Sequence, residues 1–283
     1  MGDSLVFDVQ DGQFKKEIPG IRPKISTDRL ALYAASATEE FKPVYDFLAS
    51  MRFYSIVPSR LRELQDPDPD DYLSDYLKPD GSNAAAVLKR LAEVENGSRY
   101  ERLCRLLSKV VEGGRKVEYQ SIGKKETITF KQDVGLKNHW TFDSLNMSDG
   151  TLRVLGLLLA VYQPGKHSVI CIEEPEATVH PAMAESIIGV LLDASREKQI
   201  VFTTQSLDIL DHKDLKDDQV RVVTVEQNQT VISPLSSSSR KAVRERLYTP
   251  GELLHSDELN PDVPVARQEA EQLNLFSALT ARE

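Results

Sequence analysis

The sequence predicts an α/β fold in which a parallel sheet carries helices on both faces. Residues 169–172, Gln199–Thr203 and residues 220–225 form short, mainly apolar runs, a pattern typical of parallel strands that are buried on both sides. An amphipathic helix that begins at Pro181 joins the first two runs, and proline is favoured in the first turn of a helix. The order strand, helix, strand therefore favours parallel pairing.

A second predicted helix precedes this sheet. Ser148 has the side chain of a typical helix cap, and residues 151–162 after it form a strongly apolar stretch. Pro164 and Gly165 then end the helix. We therefore expect a capped, strongly apolar helix immediately before the first strand of the sheet.

The remaining patterns predict elements on both sides of this central part. They are alternation around a turn, apolar residues at helical spacing, and short strand-like runs. The predicted elements are a hairpin around Asp11-Gly12 (with Leu5, Phe7, Val9, Phe14 and Ile18), a helix over 39–51, a strand over 53–57, two helices over 82–111 split at Asn96-Gly97, and paired strands over 117–119 and 127–130. Residues 236–239 predict a short flexible stretch, and the polar remainder has one amphipathic patch around Leu273, Leu275, Phe276 and Leu279.

The composition is that of an ordinary globular protein. Of the 283 residues, 40% are apolar and 28% are charged, which is enough for one large or two small domains. Cys104 and Cys171 lie far apart in the chain, and this argues against a disulfide framework or a zinc cluster. No apolar run is long enough to span a bilayer, and the N-terminus lacks the features of a secretory signal. We therefore expect a cytoplasmic protein with no membrane contact.

The charge gives no sign of a nucleic-acid surface. The net charge is −9, whereas phosphate binding normally requires basic clusters. The basic residues between Arg99 and Arg105 alternate with apolar residues, as on the solvated face of a helix. A nucleic-acid partner is neither indicated nor excluded.

Polar side chains follow two neighbouring strands of the predicted sheet. Glu173 and Glu174 end the first apolar run, and residues 203–206 (TTQS) end the next. Ligands of parallel sheets gather at the carboxyl ends of the strands. One carboxylate could hold Mg²⁺ while the next meets an attacking water, and Gln205 could hydrogen-bond a phosphate or that water.

The helix that begins after Ser148 offers an anion site. Its free N–H groups and dipole attract negative charge, and Gly150 lets a phosphate approach the backbone. Taken singly, these features have ordinary explanations. A carboxylate pair that ends a strand is more often a solvated edge, and a serine at a helix start is more often only a cap. Their order and spacing together favour a nucleotide site.

Three segments carry a resemblance to a known family. They are residues 148–153 (SDGTLR), residues 169–176 (VICIEEPE) with His180-Pro181, and residues 201–206 (VFTTQS). Together they resemble the second half of an ABC-type ATPase head, which has a P-loop NTPase-like fold. The most similar groups are the AAA-family ATPases allied to the SMC, RecF and OLD-like proteins. The resemblance implies ATP and Mg²⁺ as cofactors and a head-to-head dimer. It extends over about residues 5–255.

The resemblance also implies roles for the acidic edge. Glu173 corresponds to the Walker B acid that holds Mg²⁺, and Glu174 corresponds to the catalytic base. Gln205 occupies the switch position, where the family usually has histidine. Glutamine can bond a phosphate oxygen but cannot carry a proton, which puts the rate of hydrolysis in question.

The helix start takes a different role by the same resemblance. Ser148, Asp149 and Gly150 correspond to the signature motif, which contacts ATP held by the opposite subunit. Arg153 corresponds to the basic residue that follows this motif in the family. These four residues are thus expected to contribute to nucleotide binding across a dimer.

The sequence contains no P-loop. That motif needs two glycines and a following Lys-Ser or Lys-Thr, and Gly123-Lys124-Lys125 has Glu118 where the first glycine should be. Three explanations stay open: a fragment that begins after the P-loop, a subunit of a split ATPase, or a degenerate subunit that supplies only its signature face. In each case a homodimer or a partner that bears a P-loop is implied, and the chain alone is expected to be inactive.

We predict four segments. Residues 1–50 are a remnant of an N-terminal β lobe with an amphipathic helix, and residues 51–142 are an inserted helical and β lobe. Residues 143–235 form the ATPase core, and residues 236–283 form a polar C-terminal segment.

Two other functions compete with ATP hydrolysis. One is a non-catalytic pseudo-ATPase that dimerises or docks a partner. The other is a metal-dependent nuclease that uses Glu173, Glu174, Glu176 and His180, although Pro175 and Pro181 favour a loop in this segment.

Overall fold

The computed structural model describes residues 8–10, 13–16, 31–67, 76–111, 113–133 and 140–272. These residues form eleven α-helices and ten strands. The helices are α1 (Ala31–Ala35), α2 (Lys42–Ala49), α3 (Pro58–Arg62), α4 (Ala84–Glu93), α5 (Ser98–Val110), α6 (Asp149–Tyr162), α7 (Pro181–Ala194), α8 (Leu207–Leu210), α9 (Ser237–Arg244), α10 (Pro250–His255) and α11 (Val263–Gln272). The strands are β1 (Asp8–Gln10), β2 (Gln13–Lys16), β3 (Arg52–Tyr54), β4 (Gly114–Ile122), β5 (Lys125–Gln132), β6 (Trp140–Asp143), β7 (Val169–Glu173), β8 (Gln199–Thr203), β9 (Arg221–Glu226) and β10 (Gln229–Pro234).

A parallel sheet positions the site, as predicted. Its strand order in the described residues is β3-β7-β8, and both pairs are parallel. Tyr54 pairs with Ile172, and Glu173 pairs with Thr203, so the three strands end at one edge. The strand β3 lies in the segment that was predicted as an inserted lobe, and the sheet therefore draws on residues on both sides of position 142.

The helix α6 lies at the centre of the core. Every residue from Thr151 to Tyr162 is buried, as its apolar sequence requires. Gly156 allows the close approach of this helix to the segment after β3, because a Cβ at Gly156 would lie 2.5 Å from Ile56 Cγ2. The helix is thereby fixed against the sheet.

Two predictions about the sheet are wrong. Residues 220–225 were expected to form a third buried strand, but β9 pairs antiparallel with β10, and Val223 and Val225 are exposed. The physical reason is the turn at Gln227 and Asn228, whose φ angles are 49° and 63°. Two central residues with positive φ make a tight hairpin. The chain therefore reverses after β9, and β10 pairs with β9.

The strand β8 is not buried on both faces either. Gln199, Val201 and Thr203 are exposed, whereas Ile200 and Phe202 are partly buried. Phe202 packs with α7 and with Ile209. The face of β8 toward α7 is therefore covered, and the face that bears Gln199, Val201 and Thr203 is open to solvent.

Most of the other predicted elements are confirmed. The antiparallel pairs β1-β2 and β4-β5 confirm the predicted hairpin and paired strands, and α2, β3, α4 and α5 confirm the predicted helices and strand. The split before α5 is marked by Asn96 and Gly97, with φ of 54° and 74°. Residues 236–239 are not a flexible stretch, because the Ser236 side chain caps α9. The turn residues 11–12, Leu5, Phe7, Ile18 and the patch at 273–279 lie outside the described residues. None of the described helices has the length and apolar character that a bilayer crossing requires.

His167 links the stability of this fold to pH. Its ring is buried at an edge-on contact with Tyr76, and the neutral form donates from Nε2 to the Pro164 carbonyl at 3.1 Å. Its Nδ1 has no hydrogen-bond partner among the described residues. Burial lowers the pKa of His167 from 6.5 to about 4. A protonated ring would place an unpaired donor in the core.

We expect the free energy of unfolding to fall as the pH drops from about 6.5 to about 4. In this window the unfolded chain binds a proton at position 167 and the folded chain does not. The contribution is roughly 2 kcal/mol between about pH 7 and pH 5, and none is expected at higher pH. Urea unfolding at both pH values checks this, with His167→Gln as the variant that lacks the proton. Equal pH dependence in the two proteins would contradict the assignment.

Candidate functional site

The carboxyl edge of the parallel sheet brings the acidic pair beside the end of β8. The Glu174 amide donates to the Thr203 carbonyl at 3.1 Å and to Thr203 Oγ1 at 3.2 Å. Glu173 and Glu174 are both exposed. Glu174 has a φ of 41°, so the chain turns sharply at the point where the strand ends. Two consecutive carboxylates are thus available to solvent at one edge.

Arg153 lies beneath this edge. It is buried, and its Nη2 donates to the Glu174 carbonyl at 2.7 Å and to the Glu173 carbonyl at 3.4 Å. Its Nη1 donates to the carbonyl of Ile56, which follows β3. Burial lowers the pKa of Arg153, and the charges of Glu176, Glu174 and Glu173 oppose this shift. Arg153 was predicted to help bind nucleotide, and the structure places its guanidinium against the backbone of the acidic pair.

The predicted signature segment begins α6 next to the same loop. Ser148 is exposed, and its Oγ accepts from the Thr151 amide at 3.1 Å. This contact confirms Ser148 as the cap of α6. A Cβ at Gly150 would lie 3.2 Å from the Thr178 carbonyl, so the absence of a side chain lets the helix start approach the loop after β7. Sequence spacing alone did not reveal this contact.

Asp149 has a partner that the sequence did not suggest. Its carboxylate forms an ion pair with Arg62 of α3, and the same guanidinium donates to the Met147 carbonyl at 3.0 Å. Asp149 nevertheless stays largely exposed. The pair anchors the start of α6 to α3.

The loop between β7 and α7 is not helical. The Ala177 amide bonds the Glu174 carbonyl and the Val179 amide bonds the Glu176 carbonyl, each at 3.0 Å, and Thr178 has a φ of 65°. These two turns exclude the helical face that would have aligned Glu176 with His180. The predicted loop at this position is confirmed.

The segment after β8 is tied to that loop by a side-chain contact. Thr204 Oγ1 donates to Glu176 Oε1 at 2.5 Å and accepts from the Ser206 amide at 3.0 Å. Gln205 lies between Thr204 and Ser206 in the chain, and its side chain is exposed. The contact joins residues 28 positions apart, and no local pattern in the sequence indicates it.

The arrangement fits Mg²⁺ bound together with phosphate rather than a metal held by protein alone. Within the described ranges, no group of three or more His, Cys, Asp and Glu side chains could hold a metal ion. Mg²⁺ in nucleotide sites is usually held by one or two carboxylates, with waters and phosphate oxygens as the other ligands. The exposed carboxylate of Glu173 at the strand end can supply one such ligand. The nuclease alternative, which needs a protein-built metal cluster, gains no support here.

Several solved structures are similar to this chain. An SMC head bound to the C-terminal winged-helix domain of ScpA has 14% identity, covering 72% of this chain and 63% of that chain with a TM-score of 0.47. A Pyrococcus furiosus SMC head with an extended coiled coil, bound to the C-terminal domain of ScpA, has 12% identity over 76% and 50% with a TM-score of 0.40. The SMC head domain from Thermotoga maritima has 17% identity over 54% and 52% with a TM-score of 0.36.

The chain thus spans between half and two thirds of the length of these three SMC chains. No curated protein matches the sequence. A family model matches residues 47–211, which is more than half of the 283 residues. The matched region includes the acidic edge, the start of α6 and the segment after β8. The chain belongs to the family described as "AAA domain, putative AbiEii toxin, Type IV TA system", and the prediction of an AAA-type ATPase domain is confirmed.

Proposed function

We propose that this protein hydrolyses ATP with Mg²⁺ and supplies the Walker B and signature side of the active site. The observation that carries the proposal is the adjacent, exposed carboxylates of Glu173 and Glu174 at the carboxyl edge of the parallel sheet. Phosphoryl transfer needs positioned water and neutralised charge at such an edge. We assign residues 143–235 as the ATPase core and residues 51–142 as the inserted lobe, except that β3 joins the sheet of the core. Residues 1–50 are assigned as the N-terminal lobe and residues 236–283 as the C-terminal segment.

Each carboxylate has its own task in this proposal. Glu173, at the end of β7, would hold Mg²⁺, which supplies charge neutralisation at the phosphates when it is bound. Glu174 accepts the proton of the attacking water as general base. The backbone turns at Glu174, where φ is 41°, and we infer that this turn lets the two side chains perform different tasks.

Gln205 orients the reactants from the neighbouring strand end. Its amide can donate a hydrogen bond to a phosphate oxygen or accept one from the water. It cannot take up a proton, so Glu174 is the only general base that we assign. Gln205 is exposed two residues after β8, within the loop that Thr204 ties to Glu176.

Ser148, Asp149 and Gly150 face a second nucleotide in this proposal. The start of α6 presents free N–H groups and a positive dipole end to an anion. These residues would contact ATP held by the opposite subunit of a head-to-head dimer. The 283 residues contain no P-loop, so we infer that another segment or a partner supplies it.

Cysteine chemistry supports a cytoplasmic location for this protein. Cys104 and Cys171 are both free thiols. Unpaired cysteines are typical of proteins in a reducing compartment.

ATP hydrolysis is tested with an assembly that includes a P-loop. We expect phosphate release that requires Mg²⁺ and stops when EDTA is added. The 283-residue chain alone is expected to bind ATP poorly, because it contains no P-loop. Micromolar affinity in titration calorimetry would contradict this expectation. If the complete assembly binds ATP without turnover, a non-catalytic docking module is favoured instead. This alternative deserves a test because Gln205 cannot carry a proton.

A further inference from the structure

We propose that Glu176 and Thr204 are positioning residues that hold Gln205 in place at the active edge. This inference rests on the proposed function and adds two residues to it. The two side chains touch each other on the inner side of the edge, while Gln205 is exposed between Thr204 and Ser206. Neither residue needs to contact the nucleotide to perform this role.

The Thr204 hydroxyl defines the turn that presents Gln205. Its proton is donated to Glu176 Oε1 at 2.5 Å, and its lone pair accepts from the Ser206 amide at 3.0 Å. A hydroxyl has one proton to donate, so the bond to Glu176 fixes how the hydroxyl rotates and directs a lone pair at Ser206. The backbone on both sides of Gln205 is thereby held by one side-chain oxygen.

The charge of Glu176 also acts on Arg153 of α6. Glu176 Oε2 is buried without a hydrogen-bond partner among the described residues, and the same holds for Nε of Arg153. Three carboxylates raise the pKa of Arg153 against the effect of burial, and Glu176 has the largest effect of the three. A buried acceptor and a buried donor thus lie within electrostatic reach of each other without forming an ion pair.

Arg153 in turn holds the carbonyls of Glu173 and Glu174. Hydrogen bonds thus connect α6 to the acidic pair through Arg153, and a separate hydrogen bond connects Glu176 to Thr204 and the Gln205 turn.

The test compares Thr204→Val with Thr204→Ser. Valine keeps the branched shape of threonine but removes both bonds of the hydroxyl, whereas serine keeps them. We expect amide hydrogen exchange at Ser206 in the 283-residue chain to become about tenfold faster in Thr204→Val and to stay near wild type in Thr204→Ser. Glu176→Ala, which removes the acceptor, should accelerate the same amide.

Kinetics in the P-loop-containing assembly separate positioning from mere stabilisation. We expect kcat for ATP to fall about tenfold in Thr204→Val with little change in KM, and to recover in Thr204→Ser. Unchanged exchange at Ser206, or faster exchange with unchanged kcat, would overturn the proposal. The proposed function is tested separately by Glu174→Gln. If that variant keeps full turnover, the ATPase assignment fails whatever the exchange data show.

Discussion

Replacing Glu174 with glutamine is expected to lower ATP turnover by at least about a hundredfold. Glutamine keeps the size of the side chain and the backbone bonds of residue 174 to Thr203, but it cannot accept the proton of the attacking water. General base catalysis typically contributes a factor of about 10²–10⁴. Since ATP binding does not require the base, KM for ATP should change little. Phosphate release measured under saturating ATP and Mg²⁺ checks the prediction.

Glu185→Gln is the matched control for this variant. Glu185 is exposed on α7 and is not among the residues assigned to the site, and the same chemical change there should leave kcat within about twofold of wild type. Equal losses in the two variants would point to a general effect of charge. Full turnover in Glu174→Gln would remove Glu174 from the catalytic role.

Replacing Arg153 with methionine is expected to destabilise the fold by about 3 kcal/mol or more. The guanidinium is buried and bonds the carbonyls of Ile56, Glu173 and Glu174. Methionine fills part of the volume but cannot donate to these three carbonyls. A hydrogen bond that involves a charged group typically contributes about 1.5–3 kcal/mol, and this variant loses more than one of them. Urea unfolding at neutral pH measures the change in the free energy of unfolding.

Two further variants define this effect. Arg153→Lys keeps the charge but lacks the planar fork that reaches several carbonyls at once, so we expect an intermediate loss. Arg105→Met is the matched control, because Arg105 is exposed on α5 and its loss should change stability by less than about 0.5 kcal/mol. A loss at position 153 no larger than at position 105 would show that the Arg153 contacts contribute nothing.

Local patterns were sufficient to predict the elements that carry the site. The cap at Ser148, the apolar run of α6 and the short strands β7 and β8 each depend on neighbours in the sequence. The carboxyl edge could also be predicted, because parallel strands of similar length end together and Glu173 and Thr203 close two of them. The sequence therefore indicated which residues meet at the edge.

Contacts between distant segments could not be predicted from one sequence. The bonds from Thr204 to Glu176 and from Arg62 to Asp149 join segments through the tertiary fold, and residue spacing holds no information about them. The prediction for residues 220–225 was wrong for a different reason. An apolar run fits a buried parallel strand and an exposed hairpin strand equally well, and the turn at Gln227 and Asn228 decided between them.

The central claim is that this chain forms half of a composite ATPase site, and a mixing experiment tests it most directly. Ser148→Arg blocks the signature face and leaves Glu174 intact, whereas Glu174→Gln blocks hydrolysis and leaves the signature face intact. Each variant alone is expected to be inactive in the P-loop-containing dimer. In an equal mixture about half of the dimers are mixed and each has one working site, so about a quarter of wild-type phosphate release should return. No recovery, in a mixture shown to exchange subunits, would contradict a site shared between two copies.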